Sequence, residues 1–300
     1  MTGERVGFVG LGAMGWPMAA RLVAAGYDVA VADAVPGRAR DFVYDAGGIA
    51  CASAAEAGRD AAIFVTMLPT SRQVETVLAE ARASLPRGVL VVDMTSGQPA
   101  ATRRLAEMLA ADGIGLVDAP VSGGVPRARD GTLAIMAGGD KAALDRAEPL
   151  LLAMGTTIHR VGSVGAGQAM KALNNLVSAG GFLIAVEALL IGQRFGLDAG
   201  VMVDVLNAST GMNNSTQKKL RQHVLSREFA AGFGLDLMVK DLGIALEVGR
   251  DAGTPTPFAA LCREMWAGAA GVLGPGQDHT AIAQLSERLV GEQLRAGMRP

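Results

Sequence analysis

Gly10, Gly12 and Gly15 stand in G-x-G-x-x-G spacing between a short apolar run, RVGFVG at residues 5–10, and a helical pattern from Met14 to Ala25 that Gly26 ends. Forty glycines in the chain make chance matches to such spacing common. The context makes this one specific. The first glycine permits a tight turn, the second lets a pyrophosphate approach the backbone, and the third packs helix against strand. The helix start then offers unpaired N–H groups and the positive end of its dipole to phosphate. The loop of Gly10, Leu11, Gly12, Ala13, Met14 and Gly15 is therefore expected to bind a dinucleotide. Asp33 ends the next strand pattern, DVAVAD, 18 residues after Gly15, and suits ribose hydroxyls. A carboxylate there repels a 2′-phosphate, so NAD is the expected cofactor. Arg38 and Arg40 follow closely and leave NADP possible; their other reading is as solvated charges on a helix face.

Strand and helix patterns alternate through the first half. AAIFVTML (61–68), GVLVVDM (88–94), IGLVDAPV (114–121) and GTLAIMAGG (131–139) read as further strands. Such repetition implies a parallel sheet covered on both faces, a Rossmann-type doubly wound α/β domain. From GSVGAG (162–167) onward strand patterns vanish and long helical periods follow. The expected organisation is a dinucleotide-binding domain over 1–162 and an all-α substrate and oligomerisation domain over 163–300.

Composition narrows the partners. A net charge of −2 and a pI near 6.0 leave no electrostatic footprint for nucleic acid. The one basic group, Lys218–Lys219–x–Arg221, is expected on a solvated helix face. Cys51 and Cys262 form no CxxC pair and His159, His223 and His279 no ligand pair, so no metal is assigned and a reduced, cytoplasmic setting is expected. The start of the chain lacks the features of a signal peptide. One stretch, roughly 18 mostly apolar residues after Asn175, approaches the length needed to span a bilayer. Glu187 interrupts it, and a helix apolar all round is also what a protein interior holds. It is read as a buried helix, with no membrane partner.

Three polar residues stand just before that stretch. Lys171, Asn174 and Asn175 are related by i+3 and i+4 steps, so they share one helical face. A lysine near a helix start is ordinarily a snorkelling surface residue. Flanked by two amides in an apolar segment, straight after a dinucleotide domain, it reads instead as a site. Desolvation lowers a lysine's pKa from about 10.4 and makes proton exchange with an alcohol or carbonyl feasible.

These segments together resemble the β-hydroxyacid dehydrogenase family over nearly the whole chain. GFVGLGAMGWPMAARL resembles its dinucleotide signature. DAPVSGGVPRARDGTLAIMAGG (118–139) resembles its substrate-binding segment, which implies that Ser122, Gly123 and Gly124 hold a substrate carboxylate. GAGQAMKALNN resembles the catalytic segment, implying Lys171 as the proton-transferring residue and Asn175 as its substrate-contacting partner; Asn174, on the same face, is expected to help orient the substrate. KDLGIALE (240–247) implies that Lys240 reaches the cofactor. Met67, Leu68, Pro69, Gln73 and Ser96 fall where the family also contacts it. The implied activity is NAD(P)-dependent interconversion of a small, anionic 3-hydroxy acid and its semialdehyde, in a homodimer or homotetramer. Residues 176–195 are expected between domains and against a second subunit. Two other readings stay open: an imine reductase-like oxidoreductase, which often lacks the lysine, and a dinucleotide-binding sensor or scaffold without turnover. One departure stands out. STGMNNSTQKKL carries Asn213 and Asn214 where 3-hydroxyisobutyrate enzymes use a bulky aromatic, which suggests a more hydroxylated or more acidic substrate.

Overall fold

The computed structural model describes residues 3–297. They divide into two compact units, the first running up to Lys171 and the second starting at Ala172. The first contains a sheet of nine strands: β1 Arg5–Val9, β2 Asp28–Ala32, β3 Ile49–Ala50, β4 Ile63–Thr66, β5 Leu90–Asp93, β6 Gly115–Asp118, β7 Val121–Ser122, β8 Leu133–Gly138 and β9 Gly155–Gly162. Their order is β3-β2-β1-β4-β5-β6-β8-β7, with β9 paired to β8. The strands from β3 to β6 are parallel, and the chain reverses its winding between β1 and β4. Open α/β sheets bind ligands at such a switch point.

Period-two alternation builds both faces. Val6, Phe8, Val29 and Val31 pack on one side with Met18 and Leu22 of the helix Gly15–Ala24. Val9, Ala30, Ala32 and Phe64 pack on the other with Val74 and Leu78. The sheet departs from an all-parallel reading at its far edge, where β8 runs antiparallel to β6 and β7. The segment between β6 and β8 holds the short strand β7 and the helix Gly124–Asp130, and β8 returns antiparallel to both strands. β9, which residue pattern alone did not expose, lies parallel to β8, and the surface alternation of GTTIHRVG is almost wholly solvated.

The second unit is helical, its strand content limited among the described residues to one isolated bridge between Gly234 and Asp278. Phe182, Val186, Leu189 and Trp266 form the centre of its core. The helix Ala166–Phe195 has the length and apolar content that would cross a membrane, and just over half of its most apolar window is buried within the protein. Val177, Ile184, Ile191 and Phe195 remain exposed along it. Cys51 and Cys262 are free and buried.

Candidate active site

The glycine loop follows β1 directly. Gly10 has φ of 101°, and a Cβ on it would lie 2.3 Å from the Met67 carbonyl oxygen. A Cβ on Gly15 would lie 1.8 Å from the Gly10 carbonyl oxygen. Gly12 is different, since a Cβ there would meet nothing within 4 Å. The first and third glycines are thus required by the protein's own packing, while the second faces open space. That is what a pyrophosphate cradle needs. Leu11, Gly12, Ala13 and Trp16 line a cleft of about 580 Å³, together with Arg38 and Arg129. Met14 sits at the helix N-cap without a side-chain capping bond.

Asp33 lies just past β2, at the place its spacing predicted. One carboxylate oxygen accepts the Leu11 N–H at 2.7 Å, and the other accepts the Val35 N–H at 2.8 Å. The carboxylate is thereby locked to the loop it serves. Arg38, its side chain still 38% exposed, brings its guanidinium to 3.4 Å from the second oxygen. Met67, Leu68 and Pro69 follow β4, and Ser96 follows β5. The Leu68 N–H donates to Thr95 Oγ1 at 3.0 Å, which joins these two loops. Gln73, one turn into the helix Ser71–Ala81, receives the Thr70 hydroxyl at 2.6 Å.

Ser122 closes β7, paired with Ala134 of β8. Gly123 and Gly124 have φ of 135° and 68°, left-handed conformations that exclude most side chains. A short helix, Gly124–Asp130, starts there. In sheet order β4, β5, β6 and β8 separate this turn from the glycine loop of β1. The two sets are therefore distant along the same sheet.

The start of the helix Ala166–Phe195 is fastened by a buried polar network absent from the residues singled out by sequence. Asp118, fully buried at the end of β6, accepts the Gly165 N–H at 2.7 Å and the Gln168 N–H at 2.9 Å. Burial pushes its carboxyl up to about 6; the two amides pull downward and nearby Asp93 pushes further up. The Gln168 side chain accepts the Gly97 N–H at 2.7 Å and donates to Asp93 Oδ2 at 3.3 Å. Asp93 Oδ1 accepts from the Thr66 hydroxyl at 2.9 Å. A Cβ on Gly167 would lie 2.3 Å from the Met136 carbonyl oxygen, so only glycine lets the helix begin this close to the sheet. Asp118 and Gln168 lie inside the quoted motifs, but nothing in a linear pattern says that they meet.

Lys171 follows one turn later and is buried, 9% exposed. Within the second unit, Asn174 Nδ2 donates to Asn175 Oδ1 at 3.2 Å, and Asn175 Nδ2 donates to Asp241 Oδ2 at 2.6 Å. Asp241, itself 1% exposed, also holds the Lys240 ammonium at 3.1 Å. The pair Lys240–Asp241 is thus part of the amide cluster rather than a surface helix-start pair. Sequence reasoning passed over Asp241; its only signal was its place beside Lys240 in a helix bearing an apolar stripe. Lys219 is likewise not on a solvated face. It is partly buried and donates to Ser178 Oγ at 3.2 Å.

Comparison with known proteins agrees in both units. Residues 5–162 match the model of the NAD binding domain of 6-phosphogluconate dehydrogenase. Residues 165–286 match that described as NAD-binding of NADP-dependent 3-hydroxyisobutyrate dehydrogenase. The 2-(hydroxymethyl)glutarate dehydrogenase of Eubacterium barkeri is 34% identical over 296 residues, covering 98% of each chain. The chain belongs to the β-hydroxyacid dehydrogenase family. The 2-hydroxy-3-oxopropionate reductase of Escherichia coli is 35% identical, over 97% of this chain and 99% of its own. A structure of Mycobacterium tuberculosis 3-hydroxyisobutyrate dehydrogenase with L-serine superposes with a TM-score of 0.87 at 33% identity, covering 94% of this chain and 98% of the other. An imine reductase from Streptomyces aurantiacus, at 20% identity and a TM-score of 0.63, shares the fold alone. This family member is an NAD(P)-dependent oxidoreductase acting on the CH–OH group of a hydroxy acid.

Proposed function

We propose that the enzyme interconverts a small 3-hydroxy acid and its semialdehyde, with Lys171 as the general acid and base. The nicotinamide cofactor supplies the hydride donor or acceptor. Lys171 gives its proton to the developing alkoxide in reduction and takes the hydroxyl proton in oxidation. Asn174 and Asn175 orient the substrate oxygen, and the bond from Asn175 to Asp241 fixes the amide that does so. Ser122, Gly123 and Gly124 take the substrate carboxylate through a hydroxyl and backbone N–H groups. Gly10 to Gly15, Asp33, Met67, Leu68, Pro69, Gln73, Ser96 and Lys240 serve the cofactor. The single observation that carries this reading is a buried lysine on one helical face with two amides, the second of them held by a buried carboxylate.

NAD is preferred over NADP in this reading, because the Asp33 carboxylate is held in place by two backbone N–H groups. Functionally the chain divides at residue 162, with 163–300 serving substrate and assembly. The enzyme works in the cytoplasm as a homodimer or homotetramer. Val177, Ile184 and Ile191 support assembly: they recur at i, i+7 and i+14 with 77%, 57% and 71% exposure, a continuous apolar stripe that a second copy would cover.

Lys171→Met tests the central claim. Methionine keeps an unbranched side chain of similar length and deletes the ammonium. The kcat is expected to fall by at least about 10²-fold, while NADH still binds in a fluorescence titration. Retention of more than about a tenth of wild-type kcat, well outside that range, makes the lysine structural and redirects the search to Lys240.

A further inference from the structure

Gln168 stands in the first turn of the helix Ala166–Phe195, three residues before Lys171 and about 4.5 Å from it along the axis. It is 1% exposed, and both ends of its amide are engaged. The Oε1 atom accepts the Gly97 N–H at 2.7 Å, and Nε2 donates to Asp93 Oδ2 at 3.3 Å. Its backbone N–H donates to Asp118 Oδ2 at 2.9 Å. One residue thus fastens the helix start to the ends of β5 and β6 and to the loop that follows β5.

The same bonds continue into the loops assigned to the cofactor. Asp93 Oδ1 accepts the Thr66 hydroxyl at 2.9 Å and the Thr95 N–H at 3.1 Å. Thr95 Oγ1 accepts the Leu68 N–H at 3.0 Å. Ser96 lies between Thr95 and Gly97, each of them held by this network. A Cβ on Gly97 would lie 2.6 Å from Ser71 Oγ and 3.6 Å from Gln168 Nε2, so the loop passes close against both. All the residues named here, Lys171 among them, belong to the first unit.

Burial makes the arrangement demanding. Gly97 offers a donor and Asp93 an acceptor, and a buried polar group needs its partner. A side chain placed between them must accept on one side and donate on the other. An amide does both. Methionine does neither, and an ionised carboxylate accepts but sets a second charge against Asp93.

We propose that Gln168 is a positioning residue for the reaction: its amide ties the Lys171 end of the helix to the cofactor loops at Leu68 and Ser96, so that the groups serving proton and hydride transfer stand in one frame. Oxidation takes a hydride from the carbinol carbon and a proton from the oxygen bonded to it. Groups that act on two adjacent atoms must be placed together, and small misplacements are costly in rate. This rests on the assignment of Lys171 as general acid and base. It goes beyond it by naming the buried side chain through which the fold sets that lysine's place. Gln168 acts through Lys171 and not on the substrate.

Gln168→Met keeps the length of the side chain and deletes both of its hydrogen bonds. It is made in wild type and in Lys171→Met, and kcat and KM are measured in steady-state oxidation with NAD. The probe is 3-hydroxyisobutyrate or 2-(hydroxymethyl)glutarate, whichever wild type turns over faster. In wild type the substitution is expected to lower kcat by about 10²-fold, with a smaller change in the KM for NAD. In Lys171→Met it is expected to lower the residual kcat by less than about threefold, because a residue that acts through the lysine has nothing left to position. A loss of folded protein would instead lower both backgrounds by the same factor. Gln168→Glu, which keeps the acceptor for Gly97 and gives up the donor to Asp93, carries the same two comparisons where Gln168→Met does not fold. Equal fold-losses in the two backgrounds, or a single variant within about threefold of wild-type kcat, overturns the proposal. Lys171→Met retaining more than about a tenth of wild-type kcat, or a wild type that oxidises neither probe, overturns the assignment of the lysine itself, and this proposal with it.

Discussion

Asp118 anchors the helix that bears Lys171, and its titration gives a stability signature that can be calculated. Its carboxyl is pushed up to about 6 in the folded protein by burial, against an ordinary aspartate value of 3.8. A raised carboxyl pKa means the folded state holds the proton more tightly than the unfolded chain. The contribution to stability is thus present in full below about pH 4 and is lost as pH rises through about 6. A gap of about two units, at 1.36 kcal/mol per unit, corresponds to about 3 kcal/mol. That is a sizeable part of a typical folding free energy of about 5–15 kcal/mol. Asp118→Asn removes the titration and replaces one acceptor by an NH₂ facing the Gly165 or Gln168 N–H, a fixed penalty at every pH. The diagnostic is therefore the slope. The stability of wild type minus that of Asp118→Asn, from urea unfolding, is expected to fall by about 3 kcal/mol between pH 4 and pH 7 and then level off. Carboxyl ¹³C titration of the native protein should independently find one aspartate with a midpoint near 6. A difference that is flat would refute the argument and show that the two amides cancel burial, and one that grows with pH would show that they outweigh it.

Two further perturbations separate binding from folding. Gly12→Ala should leave stability within about 0.5 kcal/mol yet sharply weaken NADH binding, since its Cβ meets no protein atom within 4 Å; Gly15→Ala, whose Cβ would overlap a backbone oxygen at 1.8 Å, should lower the thermal midpoint as well. Equal thermal loss in both variants would contradict the division of roles. Asp33→Ala should narrow the NAD-to-NADP ratio of kcat/KM by weakening NAD and leaving Arg38 unpaired beside the ribose site. Wild-type preference for NADPH would assign the specificity to Arg38 instead.

Local rules carried much of this protein. The strand preceding Gly10, the glycine spacing, Asp33 at the end of β2 and the i, i+3, i+4 face of Lys171, Asn174 and Asn175 were all legible in the chain. Each depends on periodicity or on backbone sterics within a few residues. The helical second unit was legible for the same reason, as strand alternation stops after residue 162. What the sequence did not determine is who meets whom across long separations. The reversal of β8 against β6 depends on sheet pairing, and β9 hid because an edge strand in solvent has no apolar alternation to display. Asp118 meets Gln168 across 50 residues, and Asn175 meets Asp241 across 66. Lys219 looked like one of three basic residues on a solvated face until the fold laid its ammonium against Ser178, 41 residues earlier. Buried polar groups must find partners, but the free energy of an unmet donor says only that a partner exists. Which one it is depends on how distant elements are brought together, and that is decided by packing.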